Sequence, residues 1–583
     1  MSEREIIEKQ IAYHITALAL LRRNLYTLVT PIGKLPLELL LQIFRGCADR
    51  ISLKLDTPCT APLALLQVCY HWREAALSFP ELWTSIQTTT LVSDASYLHF
   101  ARQLAWSQQL ALHIDLDNRA DWLFPSGSRR IFELLQPNMK RIESLTLHLT
   151  HGEFVEARSV IFLAFGPLLH TFQLNICTVR RPDELIQTSF KPFFPLDRPG
   201  HDSPYLQRLH LTDTLLTWTD DSSFPRSLTS LSLKRTYQCS PHNPFQEPSW
   251  TTVVSAIEQL PFLTNLELCD MLPQFPSRYN SPWPVPAIRI TMPRLRNLRL
   301  SDNIWKSVFF LDHITIPPMI AVHLQFTGSL ADITEMHHIV PCLVAKAGLT
   351  DHSSGADLSP FKLVVDKTTI VACKPHVSFE NQVDLQTLDR YITEDSQAVL
   401  FSLSLEQVES SYNVDPLASF ISEVCPLLWI SLASELQIRE DACVDINPLV
   451  NMHLLRERES AWRALLDCMP NLHSLDVKGP LRLPTVLSAR SSLARGSASS
   501  ACPAPRLQHF NMESMQLRVE SGSGRASRLW ATPQDWRDLF KSRKAAGCGD
   551  ARLRMRYTRM EPTDLALLQE AAEVIMYYGN TSE

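Results

Sequence analysis

Four short runs in this chain set reactive side chains at spacings that could do chemistry. Glu335-x-x-His338, beside His337, puts a carboxylate and an imidazole on one helical turn, as a divalent cation would require. No second cluster of ligands lies near it in sequence, so a surface helix is the reading we take. Cys69 stands two residues from His71, which brings to mind a thiolate and its base. Positions that close on a helix do not face each other, and Cys69 falls on an apolar stripe, so packing explains it better. Gly522-Ser523-Gly524 lacks the spacing of a nucleophile elbow and sits in a serine-rich turn. Arg552-x-Arg554-x-Arg556 would line three guanidinium groups on one face of a strand. Phosphates are one ligand for such a row; a solvated face or an acidic partner is the reading preferred here.

Composition narrows the chemistry further. Only 16 of 583 residues are glycine, less than half the usual share of about 7%, and phosphate-cradling loops depend on that residue. No Walker, zinc-spacing or dinucleotide motif occurs. The expectation is a protein that is not an enzyme and carries no metal or cofactor. A site assembled from distant residues would leave no such mark. Apolar residues make up 45% and charged residues 20% of the chain, the balance of a folded protein. A net charge of −6 gives no reason to expect nucleic acid or an anionic membrane as a partner. The 13 cysteines are scattered singly, with no Cys-x-x-Cys, as in reduced compartments. No apolar run reaches the roughly eighteen residues of a membrane span, and Met1-Ser2-Glu3-Arg4-Glu5 does not resemble a secretory leader. A cytoplasmic or nuclear protein is expected.

The elements that matter most lie between residues 35 and 86. The sequence runs Leu35-Pro36-Leu37-Glu38-Leu39-Leu40-Leu41-Gln42-Ile43-Phe44, then Leu65-Leu66-Gln67-Val68-Cys69-Tyr70-His71-Trp72-Arg73, then Phe79-Pro80-Glu81-Leu82-Trp83. Pro36, Pro62 and Pro80 are each placed to open a helix, where a missing N–H costs nothing. Leu40, Ile43, Phe44 and Cys47 form one stripe; Leu65, Val68, Cys69, Trp72 and Ala76 form another, read as a single helix. About fifty residues cannot enclose all of this apolar surface among themselves.

At these residues the chain resembles the F-box family, whose pattern is Leu-Pro-x-Glu-Leu-Leu-x-x-Ile-Phe, a Leu-x-x-Val-Cys-x-x-Trp-Arg helix and a closing Pro-x-Leu-Trp. The resemblance covers about a tenth of the chain. It implies a three-helix motif that docks on the SKP-family adaptor of cullin–RING ubiquitin ligases, making this chain a substrate-recognition subunit of an SCF-type ligase. The positions carried over are Leu35, Pro36, Leu39, Leu40, Ile43, Phe44, Leu65, Val68, Cys69, Trp72, Leu82 and Trp83, without deciding which face inward. A departure is the connection from Arg45 to Pro62, read as a polar loop longer than the family's. A scaffold whose F-box serves assembly or its own turnover is the alternative.

Beyond Trp83 a second pattern recurs, Pro-x-Leu-x-x-Leu-x-Leu. It begins at Pro167, Pro204, Pro261, Pro293, Pro317, Pro470 and Pro505, with proline-less versions at Ile142, Leu228, Leu400 and Ala433. The last two apolar positions share one face of a strand. Helix-like stretches precede several copies, among them Val253–Leu260 and Ser460–Cys468. A unit of this kind buries too little alone and becomes stable by stacking. It resembles the irregular leucine-rich-repeat-like region that follows the F-box in many fungal F-box proteins. Only Asn303 and Cys177 fill the repeat's Asn/Cys position, three residues after the last leucine.

The expected fold class is therefore α/β: a three-helix F-box followed by a curved leucine-rich-repeat-like solenoid with a parallel sheet. An amphipathic helix occupies 1–30, carrying Ile7, Ile11, Ile15, Leu18, Leu21, Leu25 and Leu28. It is expected to fold back on the F-box rather than to self-associate as a coiled coil. The F-box spans 31–90 and the solenoid 91–520, interrupted by an insertion near 326–399 and a flexible loop near 485–505. Within the insertion, a helix near Ile333–Leu349 precedes a strand pair at Phe361–Asp366 and Thr369–Ala372. A cap over 521–583 holds a helix from Asp564 to Tyr577. If the leucine pairs face the core, Arg208, His210, Asn265, Glu267, Asn297, Arg299, Ser474, Asp476, His509 and Asn511 face out. Polar and mixed in sign, they suit an unknown target protein or peptide.

Overall fold

A computed structural model of the chain describes residues 3–29, 35–52, 61–88, 94–117, 128–160, 166–177, 205–213, 224–235, 250–273, 290–315, 317, 321–327, 361–366, 369–373, 399–406, 421, 433–439, 452–478, 487, 504–513, 532–556 and 562–577. Glu335, His337, His338, the helix expected near Ile333–Leu349, Gly522–Gly524 and nearly all of the 485–505 loop lie outside them. The fold is mixed α/β with a large, mostly parallel sheet, and the chain divides into two compact units, Met1–Pro248 and Ser249–Glu583.

The first unit opens with α1 (Glu3–Val29). Next come α2 (Leu37–Ser52), α3 (Ala61–Val68), α4 (Tyr70–Leu77) and a 3-10 turn at Pro80–Trp83. Two of these differ from the sequence reading. The apolar stripe from Leu65 to Ala76 is split at Cys69, whose extended backbone ends α3 and starts α4. Its Sγ accepts the Trp72 N–H at 3.4 Å, so the thiol serves as an N-cap. Helix α2 also continues through residues expected in the Arg45–Pro62 loop, because nothing from Arg45 to Ser52 stops it beyond one glycine. The stripe of α1 does not fold back: Ile7, Ile11, Ile15, Leu18, Leu21 and Leu25 are each at least half exposed.

From there the chain alternates strands and helices. Strand β1 (Ser85–Thr88) is followed by α5 (Asp94–Trp106), β2 (Leu112–Asp117), α6 (Ser128–Leu135), β3 (Ile142–Thr150) and α7 (His151–Val160). Then come β4 (Thr171–Cys177), β5 (Arg208–Thr212) and β6 (Ser230–Lys234). These six strands pair in chain order, every pair parallel. Leu145 and Leu147 stand level with Phe172 and Leu174, then with Leu209 and Leu211, then with Leu231 and Leu233. All eight are buried, so each apolar pair is one step of a continuous core.

The second unit repeats this layout. It holds α8 (Trp250–Glu258), β7 (Asn265–Cys269), β8 (Ile290–Thr291), β9 (Asn297–Asn303), α9 (Ile304–His313), β10 (Ile314–Thr315) and β11 (Ala321–Thr327). Strands β12 (Phe361–Asp366), β13 (Thr369–Cys373), β14 (Val399–Glu406) and β15 (Ala433–Arg439) follow. Last are α10 (Met452–Asp467), β16 (Ser474–Lys478), β17 (His509–Glu513), α11 (Pro533–Ala545), β18 (Arg552–Arg556), α12 (Pro562–Gln569) and β19 (Glu573–Tyr577). The order across the sheet is β7-β9-β11-β14-β13-β12-β15-β16-β17-β18-β19. Leu266, Leu298 and Val322 share one buried row; Leu268, Leu300 and Leu324 share the next.

The expectation of strands all in parallel fails at β13, which runs antiparallel to both β12 and β14. Only residues 367 and 368 separate it from β12, and so short a connection permits a hairpin but no crossover. The expected strand pair is thus built into the sheet, between β14 and β15. The helix expected over Asp564–Tyr577 ends at Gln569, and Glu573–Tyr577 is a strand instead. Arg552-x-Arg554-x-Arg556 does form a strand, β18, so the parallel sheet continues past residue 520. At the other end the sheet starts at Ser85, inside the 31–90 block.

The recurring proline has a definite task. In five copies the buried Leu169, Leu263, Leu295, Leu472 or Leu507 donates its N–H to the carbonyl just before the proline, at 3.1–3.4 Å. That is a β-turn with proline at its second position, where a fixed φ is already correct. The turn drops the leucine into the core two residues before its strand. Pro80 makes the same turn, with Leu82 donating to Phe79 at 3.2 Å. Gly166 opens the copy at Pro167, and a Cβ there would lie 2.2 Å from the Met139 carbonyl oxygen.

Candidate interaction surfaces

The segment 35–86 sorts its apolar side chains into two sets. Leu40, Phe44, Leu65, Leu82 and Trp83 close a core with Ala75 and Ala76. Phe44 meets Trp72 edge-on at 5.2 Å between ring centres, and the Trp83 indole donates to the Ala76 carbonyl at 2.8 Å. Arg45 pairs with Glu81, tying α2 to the Pro80 turn. Trp83 also packs on Trp106 of α5, centroids 4.6 Å apart, which joins α5 to the same apolar layer.

The other set faces outward. Pro36, Leu39, Ile43 and Val68 are exposed, as are Leu37 and Tyr70. Leu35, Cys69 and Trp72 are half-buried. Leu39 and Ile43 lie one turn apart, on the side of α2 that Pro36 begins. Scattered apolar residues on a surface need no explanation. Five large exposed ones, Leu37, Leu39, Ile43, Val68 and Tyr70, stand within 34 residues, a denser group than scatter.

The polar face of the second unit is partly self-satisfied. Glu267, Arg299 and His323 stand side by side across β7, β9 and β11. The Arg299 Nε lies 3.2 Å from the Glu267 Oε1 as an ion pair, and both side chains are less than a fifth exposed. Asn297 donates to Asn265 at 2.6 Å beside them. Of the ten residues expected to face outward, all alternate with the buried pairs, and Arg208 alone is exposed. His210, Ser474, Asp476, His509 and Asn511 are half-buried, like the four around Arg299. Arg552, Arg554 and Glu573 are exposed polar positions on this face of the second unit, with Arg552 paired to Glu573 at 2.8 Å.

Burial holds the His323 imidazole well below its ordinary pKa, to about 3, and the neighbouring Arg299 adds to this while Glu267 opposes it. An unfolded histidine titrates near 6.5 and therefore takes up its proton first as pH falls. Stability is present above pH ~6.5 and is lost as pH drops toward 3, by up to about 1.4 kcal/mol per pH unit. His323→Gln should flatten that loss. Urea denaturation midpoints between pH 7.5 and 5 would measure it, and an equal acid loss in both proteins would refute the assignment.

An aspartate signal was missed in the sequence. Two residues after the leucine pair stand Asp213, Asp270 and Asp302. Asp213 and Asp270 adopt φ of 54° and 51°, left-handed backbone that aspartate tolerates better than most residues. Their N–H groups reach the next strand, at Lys234 (2.8 Å) and Ser301 (2.6 Å). Asp302 is buried and instead accepts the N–H groups of Leu272 and Asn303, with Lys306 at 3.5 Å. Desolvation raises its carboxyl pKa despite these contacts. Asn303, at the repeat's Asn/Cys position, caps α9 by accepting the Trp305 N–H at 2.9 Å. These acidic groups shape turns and helix starts.

Comparison with protein-family models and with curated proteins finds no match to this chain. Among the described residues, no helix is long and apolar enough to cross a membrane.

Proposed function

We propose that this chain is the substrate-recognition subunit of an SCF-type cullin–RING ubiquitin ligase. Residues 35–86 act as an F-box that docks on an SKP-family adaptor, and the strand–helix units that follow act as a leucine-rich-repeat-like surface for a target protein. The observation that carries this reading is the division within one short segment. Leu40, Phe44, Leu65, Leu82 and Trp83 are consumed by its core, while Pro36, Leu39, Ile43 and Val68 are left for a partner. The three ordered sequence blocks that resemble the F-box supply the partner's class.

Catalysis in this reading is proximity. A target held on the sheet has its lysines kept near the activated ubiquitin carrier, which raises their effective concentration. The chain needs no reactive side chain of its own and works in the cytoplasm or nucleus. Co-expression with an SKP-family adaptor should give a complex that survives gel filtration, and a captured partner should be ubiquitylated only when adaptor and cullin are present. Failure to bind the adaptor overturns the reading. Adaptor binding without transfer to any captured partner favours the scaffold alternative.

A further inference from the structure

Helix α1 is continuous over 27 residues, and its apolar stripe is uncovered. Ile7, Ile11, Leu18, Leu21 and Leu25 are each 50–66% exposed. Together with His14 they repeat at alternating steps of three and four, the a and d positions of a heptad. A partner must therefore present a matching stripe, and the charges decide which one does.

We infer that α1 pairs with α1 of a second copy of this chain, the two helices running antiparallel. With residues i and j facing each other when their numbers sum to about 32, every a position meets a d position. Ile7 then packs on Leu25 of the other copy, Ile11 on Leu21 and His14 on Leu18. On the flanks Glu8 faces Arg22, twice by symmetry, and Ile15 meets its own equivalent across the two-fold axis. A parallel pairing would set Glu3 against Glu8 and His14 against His14, both unfavourable. The first turns carry Glu3, Glu5 and Glu8 beside Arg4 and Lys9, and Arg22 stands two heptads beyond Glu8. Antiparallel packing brings Glu8 to Arg22 at both ends of the pair and opposes the helix dipoles. Within one chain Glu8 lies 2.9 Å from Arg4, an exposed pair that can share its carboxylate with Arg22 of the second copy.

Sedimentation equilibrium of the full chain tests this. Wild type should be a dimer at micromolar concentrations. Leu21→Asp should be monomeric with an unchanged denaturation midpoint, since Leu21 touches no core. Glu8→Arg should weaken the dimer about tenfold, and Glu8→Arg/Arg22→Glu should restore it. A monomeric wild type overturns the proposal, as does a dimer that Leu21→Asp leaves intact. If Glu8→Arg leaves the dimer unchanged or tightens it, the antiparallel assignment fails.

Discussion

Leu39→Asp/Ile43→Asp is expected to lower affinity for an SKP-family adaptor at least about a hundredfold, or roughly 2.7 kcal/mol. Both side chains stand outside the helical core, so the cost falls on the interface, where central apolar anchors carry most of the energy. Stability should change by only about 1 kcal/mol, from the weaker helix propensity of aspartate. Phe44→Ala should behave in the opposite way. Phe44 is fully buried against Trp72, and emptying such a site costs about 3–5 kcal/mol. Calorimetry with purified adaptor, alongside chemical denaturation, separates the two. A folded double variant that binds as wild type would show that the exposed face of α2 is not the docking surface.

The second large effect concerns the sheet. Leu298→Ala should destabilise the second unit by about 2–5 kcal/mol. The side chain is fully buried in one row with Leu266 and Val322, held there by three parallel strands in register. Arg208→Ala, at an exposed strand position of the first unit, should stay within about 0.5 kcal/mol. Denaturation followed by tryptophan fluorescence provides the comparison. A loss below about 1 kcal/mol at Leu298 would mean that the leucine rows do not form a closed core.

These two expectations differ in how far residue order alone supports them. The leucine pairs declare themselves through spacing, because period-two alternation and a preceding proline turn are local properties of the chain. Leu209 and Leu211, Leu266 and Leu268, Leu298 and Leu300, and Leu475 and Val477 are buried on strands as that spacing demands. In α2 the sequence shows an excess of apolar residues but cannot sort them. Leu39 and Leu40 are adjacent and chemically identical. Only the position of Trp72, Leu82 and Trp83 decides that Leu40 is core and Leu39 is surface.

Other features turn on the same distinction. Cys69 reads as one more member of a stripe, yet it breaks the helix and caps the next. The outcome depends on where α3 and α4 must lie to close over Phe44. Glu267 and Arg299 read as open charges until adjacent strands set them 3.2 Å apart, with His323 buried beside them. The direction of β13 was hidden because a strand's own pattern carries no sign, and its partner is chosen by the connection on either side. In α1 the spacing sets the stripe, and tertiary structure decides that nothing in the described chain covers it. By itself, then, the sequence determined the strands of the proline-led repeats, which of their leucines face inward and where their proline turns fall, since those follow from local sterics and periodicity. Which apolar side chains remain exposed, which charges pair and which strand reverses were decided only by tertiary structure, because each depends on residues far apart in the chain meeting in space.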